Sequence, residues 1–388
     1  MIPDVKSSER PSAVLLIAIE DPGAANFALE LPVAFGNDGI HSVMLAFGYA
    51  REFLRDRGVE FIEYAADTSP GEILDLLHPQ LLLAGTSQNP DSPILALIDG
   101  ARIRGIPALA FIDMAADANL RFSGRSNNPL KHAPDWLLVA DRATEQAFLK
   151  LDFPVARLRR CGHPAYDRVR RRASELARGD RAAMRRAMLG LDPAPSPVWL
   201  FAAEHGDGDP RLRRGPDYAL HGRGNSDRRV DIVLEEVLEA RGAMQPQPFF
   251  ILRLHPKNTR EEFACYLPEV DMVSQGGDPL DLVWISDLVL GLSSMLLMEA
   301  ALVGRPTISI VPRECESEWS PSVTEGLTPC ATTRNGLRKI LANRVDTQEG
   351  ATTLDAVASI REVVMECLEH GRSRNFPEPD CLAALTTR

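Results

Sequence analysis

No stretch of this sequence is long and apolar enough to cross a bilayer. The longest apolar run near the N-terminus, Val14 to Ile19, is far short of the ~20 residues a membrane helix needs, and Glu20 and Asp21 follow at once. Neither a membrane span nor a signal peptide is expected. Positive charge is also scarce: 43 Lys and Arg against 54 Asp and Glu leave a net charge of -11. That balance argues against nucleic acid as a partner. The six cysteines (Cys161, Cys265, Cys315, Cys330, Cys367 and Cys381) form no CxxC pair and have no matching histidine spacing, so no structural zinc or other metal site is expected. Reduced thiols fit a cytoplasmic protein. Internal repeats and low-complexity tracts are missing too. So are GxGxxG after a strand, GxxxxGK[ST], HExxH and GxSxG. Dinucleotide redox chemistry, P-loop phosphoryl transfer, zinc proteolysis and serine hydrolysis therefore lose their strongest support.

What remains is an ordinary globular composition, 45% hydrophobic and 25% charged, spread over 388 residues. At about 150 residues per domain, two domains are expected. The first half alternates short apolar runs with helical patterns, the rhythm of βα units and a parallel sheet buried on both faces. Strands are expected at Val14–Ile19, Ser42–Ala46, Glu60–Tyr64, Leu81–Ala84, Ala108–Ile112 and Trp136–Val139. Helices are expected at Asn26–Phe35, Ala50–Arg57, Pro70–Leu77 and Ile94–Arg104, with Gly58 and Gly105 as stops. Between Ala156 and Met188 there are 11 arginines, three acids and no strand candidate. This stretch reads as a helical connector whose arginines either form a solvated face or touch an acidic partner or a membrane surface. The rhythm then resumes, with strands at Val198–Ala202, Phe249–Leu254, Leu288–Leu290 and Thr307–Val311. Helices are expected at Arg229–Arg241, Met295–Val303 and Leu337–Asn343, with a long terminal helix at Thr353–His370. The expected organisation is a Rossmann-like domain (1–165), a connector (166–190) and a second Rossmann-like domain with the terminal helix (191–388). A ligand cleft would lie between the two domains.

Three loops at the C-terminal ends of expected strands carry the chemistry, because open parallel sheets bind ligands at that edge. The first is IEDPGAANF, Ile19 to Phe27. Its Gly23 permits close approach to a substrate, Asn26 follows on the helix, and Asp21 is either a base or a helix N-cap. The second is RLHPKN, Arg253 to Asn258. Cations and an imidazole ending a buried strand are costly unless they meet an anion, so His255 can donate to a phosphate oxygen with Arg253 and Lys257 balancing its charge. The alternative is a histidine that merely shapes a turn. The third, GLSSMLLMEAALVGRP from Gly291 to Pro306, brings Ser293 and Ser294 to a helix N-terminus suited to phosphate, with Glu299 further along for ribose hydroxyls. Here the alternative is a capping serine and a surface glutamate.

Two Rossmann-like lobes, GHPAYDRV (Gly162–Val169), RLHPKN and SSMLLMEAALVGRP together resemble glycosyltransferases of the GT-B fold and their relatives. The GHPAYDRV segment is similar to that of lipid A disaccharide synthase and of the UDP-N-acetylglucosamine 2-epimerases. The HP pair followed by paired serines resembles bacterial sialyltransferases, Kdo transferases of capsule synthesis and the glycerophosphotransferases of teichoic acid synthesis. The resemblance implies that His255 contacts the donor phosphate and assists the leaving group, and that Ser293 and Ser294 hold the same phosphate. It implies a base from an acidic pair before glycine, here EDPG, Glu20 to Gly23. Asp113, in FIDMAADANLRF after another strand, is a second candidate base. From that loop, Arg121 either binds an anionic group or makes a structural salt bridge. His205, in AAEHGDGDP, belongs to the same edge without an assigned role.

The function expected is therefore a metal-independent, inverting glycosyltransferase without a resident cofactor, serving surface polysaccharide synthesis. Its partners would be a nucleotide-sugar donor, for which a CMP-activated ulosonic acid is one candidate, and a glycan or lipid-linked acceptor reached at a membrane surface. A UDP-sugar 2-epimerase and a non-catalytic nucleotide- or glycan-binding protein are the competing readings.

Overall fold

The computed structural model describes residues 14–64, 68–115, 117–195, 197–205, 214–343 and 355–373. The chain divides into two compact units, residues 1–165 with 354–388 and residues 166–353. Each is built on one six-stranded, wholly parallel sheet.

In the first unit the strands are β1 (Val14–Ile19), β2 (His41–Ala46), β3 (Leu81–Gly85), β4 (Ala108–Ile112), β5 (Trp136–Val139) and β6 (Leu158–Arg160), in the spatial order β2-β1-β3-β4-β5-β6. Strands β3 and β4 are buried along their whole length, as continuous apolar runs covered by helices on both faces require. The strand order reverses direction between β1 and β3, which opens a crevice at their C-terminal ends.

Three departures from the sequence reading stand out, and one expectation about helix ends is met. The helix expected over Asn26–Phe35 is two short ones, Pro22–Ala28 and Leu31–Gly36, because Pro32 lacks the N–H that a continuous helix would need and starts the second one instead. The segment Glu60–Tyr64 forms only an isolated bridge, Ile62 to Leu45, at the sheet edge. Strand β6 lies inside the arginine-rich stretch where none is expected; Leu158 alone gives it an apolar signal. Gly58 and Gly105 both take positive φ where helices were expected to stop.

The second unit has β7 (Val198–Ala202), β8 (Phe249–Arg253), β9 (Met272–Ser274), β10 (Leu288–Gly291), β11 (Thr307–Ile310) and β12 (Cys330–Ala331), ordered β12-β11-β10-β7-β8-β9. Its reversal falls between β7 and β10. The arginine-rich helices Pro164–Leu176 and Arg181–Leu189 pack on this sheet through Val169, Met184 and Met188. Asp180 caps the second of them, and Gly190 in the left-handed region ends it.

The terminal helix, Ala356–Ser373, belongs to the first unit and not to the second. Its Ile360, Val363, Val364, Cys367 and Leu368 recur at helical spacing and are buried against the cluster that holds Leu31 and Phe35. Among the described residues no helix is long and apolar enough to cross a membrane.

Candidate functional site

At the reversal point of the second sheet, β7 runs into Ala203, Glu204 and His205, β8 into Leu254 and His255, and β10 into Leu292, Ser293 and Ser294. The His205 and His255 rings stack with centroids 6.0 Å apart and planes 17° from parallel. The backbone N–H of Lys257 donates to His255 Nδ1 at 3.1 Å. In the neutral ring this leaves the proton on Nε2, so His255 donates from that atom. Burial lowers the His255 pKa, and the neighbouring His205 and Lys257 lower it further. Asn258 braces this turn: its Oδ1 accepts from the His255 amide at 3.1 Å and its Nδ2 donates to Glu262 at 3.1 Å. The continuation of the His205 loop through residues 206–210 lies outside the described residues.

Arg253 does not offer its guanidinium to this edge. It is 8% exposed and donates to Ser274 Oγ at 2.9 Å and to the carbonyls of Gly276 and Gly277, tying down the loop after β9. Burial lowers its pKa, and Asp278 opposes the shift. The expectation that Arg253 balances a ligand phosphate is corrected accordingly: a buried guanidinium needs acceptors, and backbone carbonyls supply them. Lys257 is exposed.

Ser293 is likewise drawn inward, so its expected role on phosphate is corrected. Its amide and hydroxyl both donate to Glu204, and its hydroxyl accepts from Arg229 Nη2 at 3.0 Å. Arg229 also pairs with Glu204 and Glu316, and Glu316 pairs with Arg313, giving two cations and two anions that neutralise one another. Burial would lower the Arg229 pKa, but the two carboxylates outweigh it and hold the value above normal. Ser294 caps the helix Met295–Leu302, accepting from the Leu296 amide at 3.2 Å. Glu299, on that helix, is pushed from 4.5 up to about 7, first by burial and then by Asp278, with Arg168 opposing.

In the first unit the corresponding edge collects Glu20 and Asp21 after β1, Asn89 beyond β3 and Asp113 after β4. Asp21 stands at the N-terminus of the helix Pro22–Ala28, yet its side chain makes no capping hydrogen bond. Phe27 of that helix stacks on Phe111 of β4 with centroids 4.5 Å apart. A β-carbon at Gly85 would stand 2.7 Å from that of Ala24, so glycine there lets the helix settle onto the sheet.

Asp113 lies against this helix, 3.8 Å from the guanidinium of Arg121, which is 4% exposed. Burial raises the Asp113 pKa and the charge of Asp21 adds to the rise, with Arg121 working against both. The structural salt bridge considered for Arg121 is thus present. Asn26 is partly buried on the same helix. Glu20 is 8% exposed and accepts from Asn89 Nδ2 at 2.8 Å.

Glu204, Arg229, Asn258 and Asn89 have no role in the sequence reading. Glu204 stands beside His205 in a quoted segment, and only its distant partners Arg229 and Ser293 give it meaning. Among the described residues no three or more His, Cys, Asp or Glu are grouped so as to hold a metal ion.

No family model and no curated protein sequence matches the chain. Solved structures do match in fold. The UDP-GlcNAc 2-epimerase from Methanocaldococcus jannaschii superposes with a TM-score of 0.62 at 12% identity, over 91% of this chain and 99% of that one. The UDP-GlcNAc 2-epimerase from Neisseria meningitidis bound to UDP-GlcNAc gives 0.60 at 14% identity, over 91% of this chain and 100% of that one. A glycosyltransferase from Rickettsia africae gives 0.54 at 10% identity, over 92% and 94%. The fold is GT-B-like, with two Rossmann-like units.

Proposed function

We propose that the chain binds a nucleotide-activated sugar through its second unit and transfers the sugar to a hydroxyl acceptor. The observation that carries this reading is the state of His255: a neutral ring whose Nδ1 is occupied by the Lys257 amide, leaving one donor, Nε2–H, at the reversal point of the sheet. Such a donor suits a leaving phosphate oxygen.

In the proposed step the acceptor oxygen attacks the anomeric carbon while its proton passes to a carboxylate. The bond from that carbon to the phosphate oxygen breaks, and the nucleotide departs with the electron pair. Asp113 is the better base, because its raised pKa gives it more affinity for the proton than an ordinary aspartate has. Asp21 helps by holding that pKa up. His255, Lys257 and the backbone amides of Ser294 and Met295 stabilise the charge that collects on the phosphate. A single displacement of this kind inverts the anomeric centre.

The test is donor turnover, with and without acceptor, across CMP-, UDP-, GDP- and dTDP-sugars. His255→Ala is expected to lower turnover by ~10²–10³ with the fold intact. A near-normal rate in that variant removes His255 from the chemistry.

Epimerisation is the second reading, favoured by the named epimerases whose fold spans nearly the whole chain. It predicts deuterium at C2 when UDP-GlcNAc is incubated with the protein in heavy water, whereas transfer predicts none.

A further inference from the structure

The opposite edge of the second sheet, where the strands begin, carries a separate concentration of positive charge. Asp287, just before β10, accepts from Arg181 at 2.9 Å and from Arg185 at 2.7 Å through one carboxylate oxygen, and from the Val198 amide at 2.8 Å through the other. Burial would raise the Asp287 pKa, but these three donors outweigh it and hold the carboxyl below its ordinary value. Arg181 and Arg185 also donate to the carbonyls of Trp284, Ile285 and Ser286, using Nε and Nη2. Their Nη1 groups make no hydrogen bond among the described residues.

Arg305, just before β11, adds a third guanidinium beside the same carboxylate. It lies 4.8 Å over the ring of Trp284, and its buried Nε has no hydrogen-bond partner among the described residues. Burial lowers its pKa, and repulsion from Arg181 and Arg185 lowers it further, against the single favourable charge of Asp287. The cluster is therefore short of negative charge in a chain that has an excess of it overall. Beside it opens a cavity of about 380 Å³ lined by Arg181, Arg185, Arg186 and Asp192.

We propose that this cavity binds a phosphate group. Three guanidinium groups (Arg181, Arg185 and Arg186) and one carboxylate, Asp192, line the cavity; counting also Asp287, which pairs with Arg181 and Arg185, and Arg305, which interacts electrostatically with all three, two positive charges stay uncompensated. That surplus matches a phosphate monoester, which carries about −1.5 to −2 at neutral pH and has three acceptor oxygens for the unused N–H groups. A single carboxylate would satisfy only half of it. The site is distinct from the His255 edge because the strands of a parallel sheet all start on one side and end on the other.

Free phosphate monoesters and the monoester headgroup of phosphatidic acid both present this chemistry. Leu191, 44% exposed next to Asp192, distinguishes them: it would enter the acyl boundary of a membrane and is irrelevant to a small anion.

The test is calorimetric titration of the full chain with inorganic pyrophosphate, alongside sedimentation with phosphatidylcholine vesicles made with and without phosphatidic acid. Arg186 is exposed, so Arg186→Glu keeps the fold, which circular dichroism verifies. Arg305→Met provides a second lesion. If the source is a free anion, both variants weaken pyrophosphate binding at least about tenfold. If it is a lipid, the protein sediments only with phosphatidic acid vesicles, and both Arg186→Glu and Leu191→Ser release it. Absence of both interactions overturns the proposal. So does binding that ignores the arginine variants.

Discussion

A β-carbon added to Gly23 would stand 2.1 Å from Oδ2 of Asp113, so the start of the first helix and the carboxylate after β4 can adopt these positions only with glycine at 23. Gly23→Ala must therefore push the Asp113 carboxylate aside. The expected outcome is a fall in turnover as large as that of Asp113→Asn, with a stability loss of ~1–3 kcal/mol from overpacking. Paired steady-state rates and urea midpoints for the two variants check it. An alanine variant with unaltered turnover would take Asp113 out of the reaction.

Glu299 links stability to pH. Its folded-state value, about 7, lies above its ordinary 4.5, so the fold favours the protonated form. Its contribution is fully present below pH 4.5, declines between 4.5 and about 7 as the unfolded chain ionises first, and is flat above that. At 1.36 kcal/mol per unit the total loss is about 3 kcal/mol. Glu299→Gln is expected to abolish this component and to be more stable than the parent above pH 7. Urea denaturation at a series of pH values tests it; parallel curves for the two proteins would contradict it.

The neutral set formed by Arg229, Glu204, Glu316 and Arg313 is also breakable in a defined way. Glu316 is fully buried, so Arg229→Met leaves an under-compensated carboxylate in the interior. A loss of about 3 kcal/mol is expected, at the lower end for broken buried pairs because Arg313 still donates to Glu316. Adding Glu316→Gln should restore part of it. A double variant no better than the single one would show that the charge is not what matters.

Much of the architecture is legible in the sequence because strands buried on both faces must be continuously apolar; β1, β4, β5 and β7 have the expected limits for that reason. The edge strands β6, β9 and β12 are two or three residues long, too short to carry a period. The His255 turn is visible as polar residues closing an apolar strand. The inward turn of Ser293 is not, since it depends on Glu204 and Arg229, 89 and 64 residues away. Arg253 misleads for the opposite reason: its type suggests an anion, while its acceptors are carbonyls that any sequence would supply.

The terminal helix offers a separate test of the fold. Ile360 is fully buried in the first unit, so Ile360→Ala should cost about 2–5 kcal/mol. The loss is expected to appear as faster amide exchange in β1 and β2, with β7 and β8 unchanged. The reverse pattern would assign the helix to the other sheet.

Because residues 356–373 complete the unit that residues 14–165 begin, the second unit is in effect an insertion within the first. On a ribosome moving at about 5–20 residues per second, the interval between the two parts lasts roughly 10–40 s. Throughout it the apolar face around Leu31 and Phe35 waits without its cover. The second unit, contiguous in the chain, faces no such delay, so it can reach its native state before the unit that precedes it.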